Sequence, residues 1–208
     1  MLTDTTTTNV RLDGVTVRRG DRTVLDRFDA DFAAGVVTAL TGPNGSGKST
    51  LLDVVAGVRA PDAGRVSRLP SGGVAYVTQA VPPTALPLTV RSVVTMACWR
   101  GRAWWRPVGR AGRLHVDRHL DRMALLDLAD RPFDELSGGQ RQRTLVALGL
   151  AQSAPVLLVD EPTAGVDEGS ASLVVAALAE EAAAGRVVVH AAHDRVAIAA
   201  ADRVVALG

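Results

Sequence analysis

The chain has 208 residues, a net charge of +1, 47% hydrophobic and 3% aromatic residues, which allows one or at most two domains with a substantial core. No apolar run approaches the roughly 20 residues that a membrane-spanning helix needs, and the near-neutral charge gives no electrostatic case for a nucleic-acid partner. A single cysteine, Cys98, excludes an internal disulfide, and the polar start from Met1 to Asn9 lacks the basic and apolar parts of a secretory signal, so a disordered leader over 1–9 and one domain over 10–208 are expected.

In chain order, Val10 to Phe32 carries short apolar segments broken by turn residues and reads as a small antiparallel flank. The run Val36 to Leu40 reads as a buried strand. Directly behind it stands Gly42-Pro43-Asn44-Gly45-Ser46-Gly47-Lys48-Ser49, with the spacing of a phosphate-binding P-loop. Glycines let successive N–H groups curl round an anion, and a helix expected over Ser49 to Ala56 adds its positive end. Lys48 can then reach the β- and γ-phosphates while Ser49 offers its hydroxyl to Mg²⁺. Composition singles out the same place: of 23 basic residues 22 are arginine, and the one lysine is Lys48, a position that needs a compact ammonium.

Val74 to Val77 reads as a further buried strand. Over about 80–135 the strand signal disappears and the helical stretches Thr89 to Cys98 and Leu114 to Leu128 take over, so a helical subdomain inserted into an α/β core is expected. Arg141 to Ala151 and Ser170 to Ala183 read as helices, and Val156 to Val159, Val187 to Val189 and Val204 to Val205 as short buried strands. This alternation implies a mainly parallel sheet covered on both faces. The strand from Val156 runs into Asp160 and Glu161, at the edge where open α/β sheets bind ligands. Asp160 suits a water-bridged Mg²⁺ ligand and Glu161 a base that polarises an attacking water; a strand ending in solvated acids is the plainer alternative.

Leu136-Ser137-Gly138-Gly139-Gln140 alone would be an ordinary turn and helix N-cap. Lying 94 residues after Gly42 and 24 before Asp160, it resembles the signature motif of the ABC (ATP-binding-cassette) ATPases, and Arg141, Gln142 and Arg143 continue the likeness. Gln79 resembles the family's Q-loop glutamine, Ala164-Gly165-Val166-Asp167 its D-loop, and His193-Asp194 its switch histidine. His190 is the rival, and His193 is preferred because an aspartate able to cap the next helix follows it. The resemblance extends from Val10 to Gly208.

That resemblance implies an α/β P-loop NTPase core with a mainly parallel sheet, a small antiparallel flank and an inserted helical subdomain. It implies ATP and Mg²⁺ bound by Gly42, Pro43, Asn44, Gly45, Ser46, Gly47, Lys48, Ser49, Thr50, Gln79 and Asp160, with Ser49, Gln79 and Asp160 on the metal and Glu161 and His193 in catalysis. Two subunits, in the simplest case two copies of this chain, would pack head to tail, each ATP lying between one P-loop and Ser137, Gly138, Gly139 and Gln140 of the other. Membrane-spanning permease subunits are the implied partners, with the ATPase cytoplasmic and peripheral on the inner face of the membrane. Two departures stand out: Arg19 occupies the place of the aromatic residue that stacks on adenine, and no regulatory C-terminal domain is expected after the strand Arg203 to Leu207.

Cargo is less legible. Leu86 to Met96 is similar to the stretch after the Q-loop in zinc and manganese importers, while other cargoes, a soluble ABC ATPase acting on nucleic acid or the ribosome, and a regulatory subunit without turnover stay as alternatives. Trp99, Trp104 and Trp105 lie among Arg100, Arg102, Arg106, Arg110 and Arg113, and no acid falls between Ser92 and Val116. This reads either as a solvated basic loop or as a contact surface for a permease and anionic lipid.

Overall fold

The computed structural model describes residues 9–67, 69–78, 87–99 and 107–208. Its central sheet has five parallel strands in the order β5-β6-β7-β3-β8: β3 (Val37–Thr41), β5 (Val74–Val77), β6 (Val156–Asp160), β7 (Val187–Ala191) and β8 (Arg203–Ala206). Every residue of β6 and β7 is buried, and alternation sorts them between two apolar layers. Leu157, Val159 and Val188 join one layer, whereas Val156, Leu158, Val187 and Val189 join the other. Burial on both faces is why these segments are continuous apolar runs instead of alternating ones.

The first layer is covered by α2 (Val90–Thr95), α3 (Arg110–Arg122), α4 (Gly138–Ala151) and α5 (Glu168–Ala183), through Val90, Val94, Leu120, Leu150 and Val174 among others. The second is closed by α1 (Lys48–Val55) and by an antiparallel sheet in the order β2-β1-β4, made of β1 (Val10–Arg19), β2 (Arg22–Phe32) and β4 (Ala63–Val66). A short α6 (Arg195–Ala199) precedes β8. No helix among the described residues is long and apolar enough to cross a membrane.

The flank differs from its expected form. β1 and β2 are strands of 10 and 11 residues joined by a tight turn, because Gly14 (φ 58°) and Arg27 (φ 46°) are absorbed at irregularities within the ladder and do not end it. The third strand, β4, has no apolar run: Ala63, Gly64 and Arg65 are exposed, and it is held by pairing with β1 alone. Among the helices, Thr89 caps α2 through its side chain, yet regular helix ends at Thr95 and a 3₁₀ turn carries the chain over Met96–Trp99. α3 lies earlier than its apolar spacing indicated, over Arg110–Arg122, and Ala124 at φ 49° leads into a separate 3₁₀ turn at Leu126–Leu128. Cys98 is partly buried against the first layer.

Candidate functional site

Register brings three chain segments to one edge of the sheet. Ala191 of β7 pairs with Leu40 of β3 on one side and with Asp160 of β6 on the other. The loop after β3, the acids ending β6 and the residues after β7 therefore leave the sheet side by side, at the carboxyl ends where α/β sheets bind ligands. A cleft of about 900 Å³ opens there, lined on one side by Lys48, Ser49 and Thr50 and on the other by Glu161 and His193.

The loop from Gly42 to Gly47 turns back on itself, with the Ser46 N–H donating to the Pro43 carbonyl at 3.1 Å. Gly42 has φ 144°, and a Cβ built there would stand 2.2 Å from the Leu207 carbonyl oxygen at the end of β8, so only glycine fits. Gly47 is the N-cap of α1 and provides no side-chain cap, which leaves the first-turn N–H groups facing the cleft for an anion. Lys48 is buried, and its Nζ donates to the carbonyls of Gly42 at 2.8 Å and Pro43 at 3.1 Å.

The acids follow the same logic. Asp160 is buried and accepts a hydrogen bond from the Ser49 side chain; burial pushes its carboxyl above the usual carboxylate range, opposed by that bond and by Lys48, and reinforced by Glu161 and Asp53. A carboxylate held beside a hydroxyl, with surplus negative charge, is the oxygen donor set of a hard divalent cation. No group of three or more His, Cys, Asp or Glu side chains that could hold a metal ion occurs among the described residues. Glu161 sits at φ 51°, and its Oε1 is 2.9 Å from Nε2 of His193. Asp194 caps α6 by accepting from the Ala197 N–H at 2.8 Å and also accepts from the Thr163 hydroxyl at 2.5 Å, so the loop carrying His193 is pinned to the one after Glu161. His190 lies within β7, buried, its imidazole pushed down to about 4 by burial, and takes no part in the cleft.

Other predicted residues lie apart. Ser137 caps α4 and forms a reciprocal box with Gln140: the Gln140 N–H donates to Ser137 Oγ at 3.3 Å and the Ser137 N–H to Gln140 Oε1 at 3.0 Å. Ser137 and Gly138 are exposed, and none of Ser137 to Gln140 lines the cleft of their own chain. Gln79 falls outside the described residues, as do Trp104, Trp105, Arg100, Arg102 and Arg106, while Trp99 is 41% exposed.

Two features escaped sequence reasoning. Arg22 lines the cleft beside Arg19 and donates to the Gly45 carbonyl at 3.4 Å, and Arg19 stands 3.9 Å from Asp53, which accepts from the Tyr76 hydroxyl at 3.0 Å. Two guanidinium groups thus line the cleft beside the phosphate loop and α1. The second is the contact of Gln142, a buried amide donating to the Glu161 carbonyl at 3.1 Å; besides its place in the family-like run, its sequence signal is a polar residue in register with Val146 and Gly149 on the buried face of α4.

The sequence pattern of the family described as ABC transporter matches residues 25–164. The cytochrome c biogenesis ATP-binding export protein CcmA of Sphingopyxis alaskensis is 38% identical over 195 residues, which are 93% of this chain and 94% of that protein. The hemin import ATP-binding protein HmuV of Streptomyces coelicolor is 41% identical, over 93% of this chain and 72% of its own. The zinc import ATP-binding protein ZnuC of Cereibacter sphaeroides is 35% identical, over 92% and 75%. Among solved structures, the dimeric bacterial ABC transporter cassette MJ0796 superposes with a TM-score of 0.82 at 25% identity, covering 95% of this chain and 94% of that one. A phosphate loop on β3, an acid pair on β6 and a histidine after β7 meet at one sheet edge, in a sequence that carries this family's pattern over most of its length; the chain belongs to the ABC transporter family, as an ATP-hydrolysing transport ATPase.

Proposed function

We propose that this chain works as one half of an ATP-driven pair, coupled to membrane-spanning permease subunits on the cytoplasmic face of a membrane and powering import of a metal ion or metal chelate. The observation that carries the paired reading is the separation of parts within one chain: the cleft holds Lys48, Ser49, Glu161 and His193, while Ser137 and Gly138 stand exposed elsewhere. A second copy packed head to tail brings its Ser137–Gly139 turn over the phosphates. The dimeric form of the MJ0796 cassette supports this arrangement.

In this reading the N–H groups of Gly45, Gly47, Lys48 and Ser49 and the Lys48 ammonium bind the phosphates, and Lys48 exchanges the Gly42 and Pro43 carbonyls for phosphate oxygens. Ser49 and Asp160, joined by a hydrogen bond, would hold Mg²⁺, which would supply counter-charge to the phosphate oxygens. Glu161 accepts a proton from the attacking water, a role worth about 10² to 10⁴ in rate. His193, 2.9 Å from Glu161, orients that carboxylate and faces the terminal phosphate. Arg19 and Arg22 give the base a guanidinium surface in place of an aromatic ring.

Import and metal cargo are supported by the hemin import and zinc import names of two relatives; the export name of the third favours the opposite direction. Uptake decides between them. Cells in which this chain carries Glu161→Gln are expected to accumulate less zinc or hemin from the medium than wild type. Unchanged uptake of both, with loss of a secreted product, would contradict import.

A further inference from the structure

The turn that faces a partner's nucleotide is tied, inside its own chain, to the residue that serves the chain's own nucleotide. Gln142 stands five positions beyond Ser137, between the exposed Arg141 and the half-buried Arg143, yet is only 6% exposed. Its Nε2 donates to the main-chain carbonyl of Glu161 at 3.1 Å. That carbonyl also accepts the Ala164 N–H at 3.2 Å, and the Glu161 N–H donates to the Ala191 carbonyl at 3.2 Å. Both peptide groups of Glu161 are therefore held, one by β7 and one by α4. They need to be, because φ 51° is a left-handed conformation that a non-glycine residue keeps only when its surroundings impose it. One turn earlier, Gly139 has no Cβ; built there, that atom would stand 3.2 Å from the Gly165 carbonyl oxygen and 3.3 Å from Val166 Cα. The first turns of α4 thus touch both ends of the 161–166 segment.

We infer that Gln142 is a positioning residue for hydrolysis: its amide fixes the Glu161 peptide, and with it the direction in which the Glu161 carboxylate meets the attacking water. This rests on the reading of Glu161 as the general base. Gln142 touches no nucleotide and acts only through that backbone, so its loss alters the rate of the chemical step and leaves binding in place.

The test uses the full chain with Mg-ATP and three measurements: nucleotide affinity, KM and kcat. Gln142→Met keeps volume and burial but has no donor; kcat is expected to fall on the order of 10- to 100-fold, with affinity and KM within about threefold. In a Glu161→Gln background the same change costs nothing further, since two residues acting as one unit are non-additive. Gln142→Glu, of unchanged shape, carries the test should the methionine variant fail to fold: a buried carboxyl donates to the carbonyl only when protonated. Its kcat relative to wild type therefore rises as pH falls. Wild-type kcat in Gln142→Met, or affinity and kcat falling together, would overturn the inference. Full turnover by Glu161→Gln would instead remove the general-base reading beneath it, and the inference with it.

Discussion

Lys48 is where composition, motif and geometry meet. It is the one lysine in the chain, it is buried, and its ammonium is held by two carbonyls of its own loop. Lys48→Ala removes the cation from that concavity and should weaken ATP binding about 100-fold, or ~3 kcal/mol. Lys48→Arg should fail similarly, because a planar fork cannot replace a point charge inside so tight a loop. Titration with a fluorescent ATP analogue checks both, and near-normal affinity in either would contradict the assignment. The loop Gly42 to Ser49 and the acids Asp160 and Glu161 drew attention in the sequence because they follow apolar runs, and His193 because Asp194 stands behind it as in the family it resembles. The contacts of Gln142 and Arg22 were not legible, since each is made to a main-chain carbonyl supplied by a distant residue, and no local pattern records such a partner.

At the scale of elements, strands with an apolar run declared themselves and the one without did not; β8 was expected as a buried strand from Val204 and Val205, yet at the edge of the sheet it is largely exposed. β6 and β7 open on apolar runs, Val156 to Val159 and Val187 to Val189, whereas β4 is Ala63–Val66 with three exposed residues, and only its ladder with β1 makes it a strand. Among helix ends, Asp194 caps α6 as its place in the sequence indicated, whereas α3 begins at Arg110 behind a Gly109 that offers no side-chain cap, and its start was placed too late. α3 is joined to α5 by a feature invisible in either helix alone. Buried Glu181 receives Arg122 at 2.7 Å and Arg186 at 2.5 Å, and Arg122 also reaches Glu180 at 2.6 Å. Glu181→Ala leaves two guanidinium groups facing each other in a half-closed site and should destabilise the fold by about 3 kcal/mol. Thermal unfolding would show this, and a shift below about 1 kcal/mol would mean that water already compensates the charges.

For the whole molecule, acid should weaken the fold before carboxylates begin to protonate. His190, in β7, and His119, on the buried face of α3, are both lowered to about 4, the first by burial, opposed by a main-chain hydrogen bond at Ala191 and by the Asp194 charge, the second by burial, His115, Arg122, Arg186 and Arg118. Between pH 6.5 and about 4 the unfolded chain binds protons that the folded chain refuses, so stability falls as pH falls through that window, by up to about 3 kcal/mol for each histidine. Unfolding curves from pH 7 to 4.5 should show the loss in wild type and a flatter profile in His119→Leu/His190→Leu. An equal slope in both would place the acid sensitivity elsewhere.

The central claim is that two chains share each ATP and that Glu161 ends their association by driving hydrolysis. Glu161→Gln keeps the shape of the side chain and removes its capacity to take a proton, while Lys48, Ser49 and Asp160 are untouched. Size-exclusion chromatography in Mg-ATP tests this most directly: the variant should elute as a dimer and the wild type mainly as a monomer. A variant that binds ATP with normal affinity yet elutes as a monomer would contradict the shared site.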